Sequence, residues 1–419
     1  MPILRLAWKS LLNRWVTVGL TLFSIALSVM LLMGVERLRV EARESFANTL
    51  SGTDLIAGAR TGGVQLLLYS VFRLGHATNN ISWESYLDIA AQKSVAWTVP
   101  ISLGDSHRGY RVLGTTAEYF KHYRYAVNEH LAFDQGQSFS DLYDAVLGAE
   151  VAKKLGYELG EAIIIAHGAS DVSFARHDDK PFKVVGVLKR TGTPVDRTVH
   201  VSLEAIEAIH IDWQNGAPLP GLSTSAEQAR SKDLTPKAIT AVLMGLKSKI
   251  LTFKMQRFIN DYKEEPLTAI LPGVALSELW SVIGIAENAL LIISAFVVIV
   301  GLFGMLTVLL ASLNERRREM AILRSVGARP GHIFGLIMGE TAALTLGGIS
   351  LGLGLLYGLL FIARPMIEAH YGIHVPIGGL THYELLLLGI VMLAGFVVGA
   401  LPAYRAYRLS LADGLSMRI

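Results

Sequence analysis

Four stretches of the chain are apolar for long enough to cross a bilayer. A helix needs about 20 apolar residues to span the hydrocarbon core, because each residue rises about 1.5 Å. The stretches are Trp15 to Val35, Ala289 to Leu313, about Ile333 to Ile362, and about Tyr383 to Leu401. The third contains an acid, Glu340. This pattern predicts four membrane-spanning helices.

Between the first two stretches, apolar residues recur with the shorter periods of a folded domain. Period-two runs that predict strands lie at Asp54 to Ala59, Val95 to Leu103, Tyr110 to Leu113, Ala162 to Ala166, Phe182 to Leu188, Thr198 to Val201 and Ile239 to Leu246. Helical patterns lie at Trp83 to Gln92, Glu150 to Leu155, Leu203 to Ile209 and Ile250 to Tyr262. Because strands and helices do not alternate regularly, an α+β fold is expected.

Two segments of this domain need separate interpretation. Asp212 to Pro236 is rich in Pro, Gly, Ser and Thr and is predicted to be a long surface loop. Val64 to Phe72 is unusually apolar and is bracketed by glycines. It is either a core element or a patch that faces a membrane or a substrate.

Composition supports a membrane protein. The 419 residues are 52% hydrophobic and 17% charged, and the net charge is +3. This weak charge gives no indication of a nucleic-acid partner. The chain has no cysteine, which excludes disulfides, thiolate metal sites and thiol catalysis.

Short basic flanks predict the orientation of the spans. Arginines and lysines cluster before the first span, between the second and third, and after the fourth, with members that include Arg5, Lys9, Arg14, Arg316, Arg317, Arg318, Arg405 and Arg408. By the positive-inside rule these three flanks are cytoplasmic. The first span is too long for the core of a signal peptide and is expected to remain as an anchor.

The chain therefore divides into three parts. Residues 1–35 form a cytoplasmic N-terminus and the first span, and residues 36–288 form an external stalk and domain. Residues 289–419 hold spans two to four, a cytoplasmic segment at 314–332 and a cytoplasmic tail.

A charged amphipathic helix is predicted directly after the second span. The sequence Asn314-Glu-Arg-Arg-Arg-Glu-Met-Ala-Ile-Leu-Arg-Ser-Val-Gly327 places Met320, Leu323 and Val326 at helical spacing among charges of both signs. Gly327 is expected to end this helix and Pro330 to stop its continuation. A plain positive-inside anchor would explain the arginines but leaves Glu315 and Glu319 unexplained.

This segment resembles the signature of ABC transporter permeases of the MacB, FtsX and LolC/LolE type. Weaker similarity lies at Leu147 to Gly160, at Phe182 to Leu188 and at Pro402 to Leu409, whereas the tail Leu411 to Leu415 departs from the family pattern. The resemblance implies a bacterial inner-membrane protein with four spans and a MacB-like periplasmic domain. It also implies that the segment docks on an ATPase subunit through Glu315, Arg316, Arg317, Glu319, Met320, Leu323, Arg324, Gly327, Ala328 and Arg329.

The chain is not expected to hydrolyse ATP. It contains no Gly-x4-Gly-Lys-Ser/Thr phosphate loop, and the glycines at 352, 354 and 358 lie inside the third span, where they suit helix packing. ATP would bind to a separate ATPase dimer, and the chain itself would need no cofactor. A symmetric ATPase dimer implies two permease copies, most simply a homodimer.

Histidines and one buried acid are the remaining candidates for chemistry. Eleven of the 12 histidines lie outside the predicted cytoplasmic parts, but no His and carboxylate cluster has metal-ligand spacing, so no metal site is predicted. Glu340 is expected to pair with a basic neighbour such as Arg14 or Arg329.

Two amphipathic stretches are predicted to continue the first and second spans beyond the bilayer. Their apolar positions include Leu38, Ala42 and Phe46 in the first and Leu276, Leu279 and Ile283 in the second. Such stripes are typical of packed helices. We expect them either to form a stalk or only to cover the external domain.

Three functions are candidates for a chain with these features. The favoured one is a permease that transmits ATP-driven motion to its periplasmic domain to export or extract an envelope substrate. The alternative is an FtsX-like subunit that activates a periplasmic or lipoprotein partner without moving cargo. A membrane-bound enzyme is disfavoured, because the external sequence shows no nucleophile elbow, zinc motif or carboxylate constellation.

Overall fold

The computed structural model describes residues 15–167, 177–214, 217–218, 224–371 and 378–408. These residues form two compact units. The described residues of one unit fall within Met1–Ala42, Gly284–Met366 and Val375–Ile419, and those of the other fall within Arg43–Ile283 and Ile367–His374. They are called the membrane unit and the outer unit below.

Twelve helices lie within the described ranges. They are α1 (Trp15–Ala47), α2 (Gly63–Ser70), α3 (Trp83–Ala90), α4 (Glu118–His122), α5 (Ala149–Leu155), α6 (Leu203–His210), α7 (Ala226–Arg230), α8 (Thr252–Asn260), α9 (Pro272–Glu315), α10 (Arg317–Ser325), α11 (Pro330–Tyr371) and α12 (His382–Arg408). Short 3-10 helices lie at Pro194–Arg197 and Lys249–Leu251. Of these, α1, α9, α11 and α12 are long and apolar enough to cross a membrane, which confirms the four predicted spans.

The strands lie in the outer unit. They are β1 (Leu55–Ala59), β2 (Ile81–Ser82), β3 (Val95–His107), β4 (Tyr110–Thr115), β5 (Arg124–Tyr125), β6 (Glu129–His130), β7 (Phe133–Gly136), β8 (Asp144–Leu147), β9 (Ala162–Ile163), β10 (Ala166–His167), β11 (Phe182–Leu188), β12 (Thr198–Ser202), β13 (Trp213–Gln214), β14 (Ala217–Pro218), β15 (Ala238–Ile239), β16 (Ala241–Leu246) and β17 (Leu267–Ile270).

One mixed sheet of eleven strands organises the outer unit. Nine strands follow the order β17-β1-β16-β3-β4-β12-β8-β11-β7, with β10 on β3 and β9 on β11. The pairs β4–β12 and β8–β11 are parallel, and the other pairs in this sheet are antiparallel. This mixed sheet with helices confirms the predicted α+β fold.

Local sequence explains most of these elements. The apolar segment at 64–72 forms α2, whose buried residues Leu66, Leu67 and Tyr69 belong to a hydrophobic core of the outer unit. The core interpretation of this segment therefore applies. The predicted loop from Asp212 to Pro236 is wrong in two parts. It contains the short paired strands β13 and β14, and it contains α7, which Ser225 caps through a reciprocal capping box with Gln228.

Small residues allow the long helices of the membrane unit to approach closely. A Cβ added at Gly352 of α11 would lie 2.6 Å from the Ala26 carbonyl oxygen of α1, and one at Gly399 of α12 would lie 2.3 Å from Thr341 Cγ2 of α11. Close backbone approach of this kind is how helices associate in lipid. Gly354 and Gly358, for which a packing role was also predicted, make no such close approach within the described part of the chain, because an added Cβ there meets nothing within 4 Å.

Candidate coupling segment and stalk

The chain turns a corner at Arg316, between α9 and α10. The side chain of Arg316 is only 10% exposed, and its Nη1 lies 2.7 Å from Glu340 Oε2 on α11. Its Nε also lies 3.2 Å from Glu319 Oε2. The predicted pairing of Glu340 with a basic neighbour is therefore confirmed, but the neighbour is Arg316 rather than Arg329, because the first turn after α9 brings Arg316 closer. Arg14, the other residue suggested, lies outside the described residues. The ion pair holds the corner against α11.

The inner face of α10 packs on the ends of three spans. Met320 and Ala321 are buried. Met320 contacts a cluster of residues from α9, α11 and α12, which contains Leu313, Ile333, Ile337, Ala403 and Ala406. The predicted stripe of Met320, Leu323 and Val326 is thus only partly correct, since Leu323 is half-buried and Val326 is 83% exposed.

The outer face of α10 combines positive charge with apolar surface. Arg317 and Arg318 are exposed, Ile322 is 52% exposed and Val326 follows at 83%. Because Arg318, Ile322 and Val326 are spaced by four residues, they lie in one row along the helix. An exposed apolar row rimmed by charge is typical of a surface that binds another protein. This row is called the α10 outer face.

A glycine turn ends α10 and starts α11. Gly327 has φ of +100°, and the Gly327 and Ala328 N–H groups donate to the Arg324 and Leu323 carbonyls over 3.1 and 3.0 Å. This is a Schellman arrangement, which needs the left-handed backbone that glycine adopts without strain. Pro330 does not merely stop the helix as predicted: it is the first residue of α11, where its fixed φ suits a helix start.

The remaining predicted coupling residues lie in this region. Arg324 and Ala328 are half-buried, and Arg329 is exposed. Glu319 is 59% exposed, and Glu315 closes α9 with a side chain outside the described set. The structure thus separates the predicted site into a packed inner part and an accessible outer face.

A second charged cluster ties helices together at the opposite end of the membrane unit. Glu36 is 1% exposed and accepts two hydrogen bonds from Arg39, at 3.0 and 2.7 Å. Arg37 donates to the Gly378 carbonyl at 2.7 Å and lies 3.7 Å from Glu384. This cluster was not predicted from the sequence, although Thr381-His-Tyr-Glu384 carries a signal for one of its members.

That signal is the capping box of α12. The Thr381 N–H donates to Glu384 Oε2 over 2.7 Å, and the Glu384 N–H donates to Thr381 Oγ1 over 3.2 Å. Glu384 therefore accepts a backbone N–H at the start of α12 and also pairs with Arg37 of α1. Side chains at both ends of the spans are thus paired and buried.

The predicted stalk residues lie on the continuous helices α1 and α9. Leu38 is 65% exposed, Ala42 is half-buried, and Phe46 packs against the core of the outer unit together with Leu276. Leu279 and Ile283 are half-buried. The stalk contact that sequence analysis missed is Trp280, whose ring centroid lies 5.5 Å from that of Phe46 in an edge-on arrangement.

Several histidines of the outer unit pack against other residues and have surroundings that suit a role in the fold. His200 is fully buried, and this burial lowers its pKa to about 3, so it is neutral. His122 stacks on Trp97 with centroids 4.8 Å apart. The side chain of His370 and the whole of His374 lie outside the described set. Asp105, His177 and His210 form a cluster that could hold a metal, although no motif spacing indicated it.

Comparison with known proteins matches both halves of the chain to family models. Residues 18–242 match the MacB-like periplasmic core domain, and residues 291–411 match the FtsX-like permease C-terminal domain. An uncharacterized ABC transporter permease of Methanocaldococcus jannaschii is 22% identical over 276 residues, which cover 61% of this chain and 63% of that one. The macrolide export ATP-binding/permease protein MacB of Rhodospirillum rubrum is 26% identical over 67% of this chain and 40% of its own length.

A solved structure shows a further likeness. The crystal structure of the periplasmic region of MacB from Actinobacillus actinomycetemcomitans aligns over 55% of this chain and 94% of that one, with 11% identity and a TM-score of 0.34. The chain spans less than two thirds of the length of the two relatives named above.

Removing the carboxylate of Glu340 should destabilise the membrane unit. Glu340→Ala leaves the Arg316 guanidinium without its 2.7 Å partner. Breaking a fully buried pair costs about 3–5 kcal/mol, and the slight exposure here suggests the lower end. Glu319→Ala is the matched control, because it removes the exposed partner of the same arginine and should cost less than about 1 kcal/mol. Unfolding free energies in mixed detergent would test this, and equal losses in both variants would contradict it.

Proposed function

The chain belongs to the family of ABC transporter permeases that join a MacB-like periplasmic core domain to an FtsX-like C-terminal domain, and we propose that it works by mechanical transmission. In this proposal a separate ATPase dimer hydrolyses ATP in the cytoplasm. The chain passes the resulting motion to its periplasmic unit to export or extract an envelope substrate. It acts as a homodimer and binds no cofactor of its own.

The continuity of α1 and α9 carries this proposal. They contain 33 and 44 residues, so at about 1.5 Å per residue they are about 50 and 66 Å long. The hydrocarbon core is only about 30 Å thick. Both helices therefore continue from the membrane unit into the residues of the outer unit without a break. A continuous helix is a means of passing a displacement along its length.

The composition of the spans also favours transmission over a substrate path through the membrane. Transporters with a midplane site use broken helices and polar residues there. Here α1, α9, α11 and α12 are each unbroken, and the charged residues Glu340 and Glu384 lie toward the ends of their spans. The buried hydroxyls of Thr341 and Thr345 donate to carbonyls four residues back in their own helix.

An FtsX-like signalling role shares the same architecture, including the match at residues 291–411. In that role the motion activates a periplasmic or lipoprotein partner instead of moving cargo. Proteins that co-purify with the chain distinguish the two: an envelope cargo supports transport, and a cell-wall hydrolase supports signalling.

We expect the chain to sit in the inner membrane with both termini in the cytoplasm. The three basic flanks support this orientation. An alkaline-phosphatase fusion near Gly216 should be active and one after Arg418 inactive. An inactive fusion near Gly216, or an active one after Arg418, would exclude the orientation.

The α10 outer face is the proposed contact with the ATPase. Ile322→Asp, or Arg317→Glu together with Arg318→Glu, should abolish co-purification of the ATPase while the chain remains folded in the membrane. These residues are exposed, whereas Arg316 is unsuitable for this test because it holds the corner. The control is Lys232→Glu, which reverses an exposed charge in the outer unit. ATPase recovery that is unchanged in both test variants would rule out this contact.

A further inference from the structure

Three side chains from distant parts of the sequence meet in the outer unit. Asp105 lies on β3, His177 lies before β11, and His210 is the last residue of α6. One ligand atom from each lies within 4.8 Å of those of the other two. The Nε2 of His210 is 3.5 Å from Oδ1 of Asp105, and the rings of His177 and His210 are nearly perpendicular with centroids 5.2 Å apart. From this arrangement we propose a binding site for a divalent transition-metal ion, with Zn²⁺ as the best fit.

The backbone explains why these residues converge. The ladder between β3 and β4 is irregular between Leu103 and Ser106, and three consecutive residues from Asp105 to His107 are buried. Such an irregularity re-aims side chains that regular alternation would send to opposite faces. The N–H of His177 donates to the Ile165 carbonyl over 3.1 Å, which holds this residue beside the short strand β10. β10 itself pairs with β3 at Asp105.

The donor set suits zinc better than calcium or magnesium. The two imidazoles are borderline ligands that Zn²⁺ and its first-row neighbours prefer, and zinc also accepts one carboxylate beside them, whereas the hard cations need more oxygen ligands. Tetrahedral ligands about 2.0–2.1 Å from zinc lie about 3.4 Å from one another. The separation of 3.5 Å between Asp105 and His210 matches this value. The separations that involve His177 are within 4.8 Å, so they would need to shorten by at most about 1.4 Å. Three protein ligands leave a fourth position for water or an exchanging ligand.

Burial and local charge are compatible with this ion. Asp105 and His177 are 3% and 2% exposed, so a metal bound there is shielded from solvent, and the half-buried His210 marks the side of access. The nearby Lys180 ammonium is 2.6 Å from Asp179 and 3.5 Å from Asp212, so these two carboxylates offset its charge. An ion pair between Asp105 and His210 alone would not require the second imidazole, which His177 places beside them. His177 is the residue that favours a metal site over that simpler interpretation.

The proposal does not depend on transport, and metal binding by the intact chain tests it. The purified chain in detergent, stripped with a chelator and then titrated with Zn²⁺, should bind one ion per chain at this site and gain thermal stability. His210→Asn should weaken zinc binding by more than about 100-fold, because it removes a direct ligand. Co²⁺ in place of Zn²⁺ should give the visible absorption of a four-coordinate site, and Mg²⁺ should not compete.

His130→Asn is the matched control, because it removes an exposed imidazole from the same unit. Asp105→Asn keeps the shape of the side chain and should lose zinc like His210→Asn. Unfolding midpoints without metal would show that each variant is folded. The site is overturned if no zinc binds tightly, if Mg²⁺ displaces it, or if His130→Asn and His210→Asn lose affinity equally.

Discussion

The constraint on which this structure depends is that a chain in hydrocarbon must satisfy its own backbone hydrogen bonds. That requirement makes each span a helix, and it sets a minimum length for each. It sets no maximum. The helix α1 continues past its apolar stretch through a charged segment that includes Glu36, Arg37 and Arg39, and α9 begins at Pro272, well before its apolar stretch from Ala289. The same two elements therefore serve as membrane anchors and as the connections to the outer unit.

Buried ion pairs determine which helices of the membrane unit lie side by side, which apolar packing alone does not specify. Lipid is as apolar as leucine, so hydrophobic contacts alone determine poorly which helix lies beside which. Arg316 with Glu340 links the corner between α9 and α10 to α11, and Arg37 with Glu384 links α1 to α12. A carboxylate in an apolar environment is costly without a partner, so each pair disfavours other arrangements of the helices. At the first pair, the same arginine also sets the corner from which α10 presents its outer face.

Elements governed by local periodicity could be predicted from the sequence, and contacts between distant elements could not. The four spans, the strand at Phe182–Leu188 and the helical nature of α10 follow from apolar spacing over consecutive residues. The order of the eleven-stranded sheet does not, because each strand alone is compatible with several neighbours. The partner of Glu340 was missed for a related reason: sequence distance from the span suggested Arg329, whereas the turn after α9 brings Arg316 to it. The cluster of Asp105, His177 and His210 depends on a strand irregularity that no spacing motif records.

The central claim is that the nucleotide state of the ATPase moves the extended helices. The chain has no native cysteine, so a single cysteine at the exposed Leu38 can carry a spin label in each copy of the proposed homodimer. Pulsed electron–electron double resonance would measure the distance between the two labels in ATP-trapped and nucleotide-free complexes. Mechanical transmission predicts distributions that differ by more than about 2 Å, the scale of helix shifts in switching proteins. Identical distributions in the two states would contradict it.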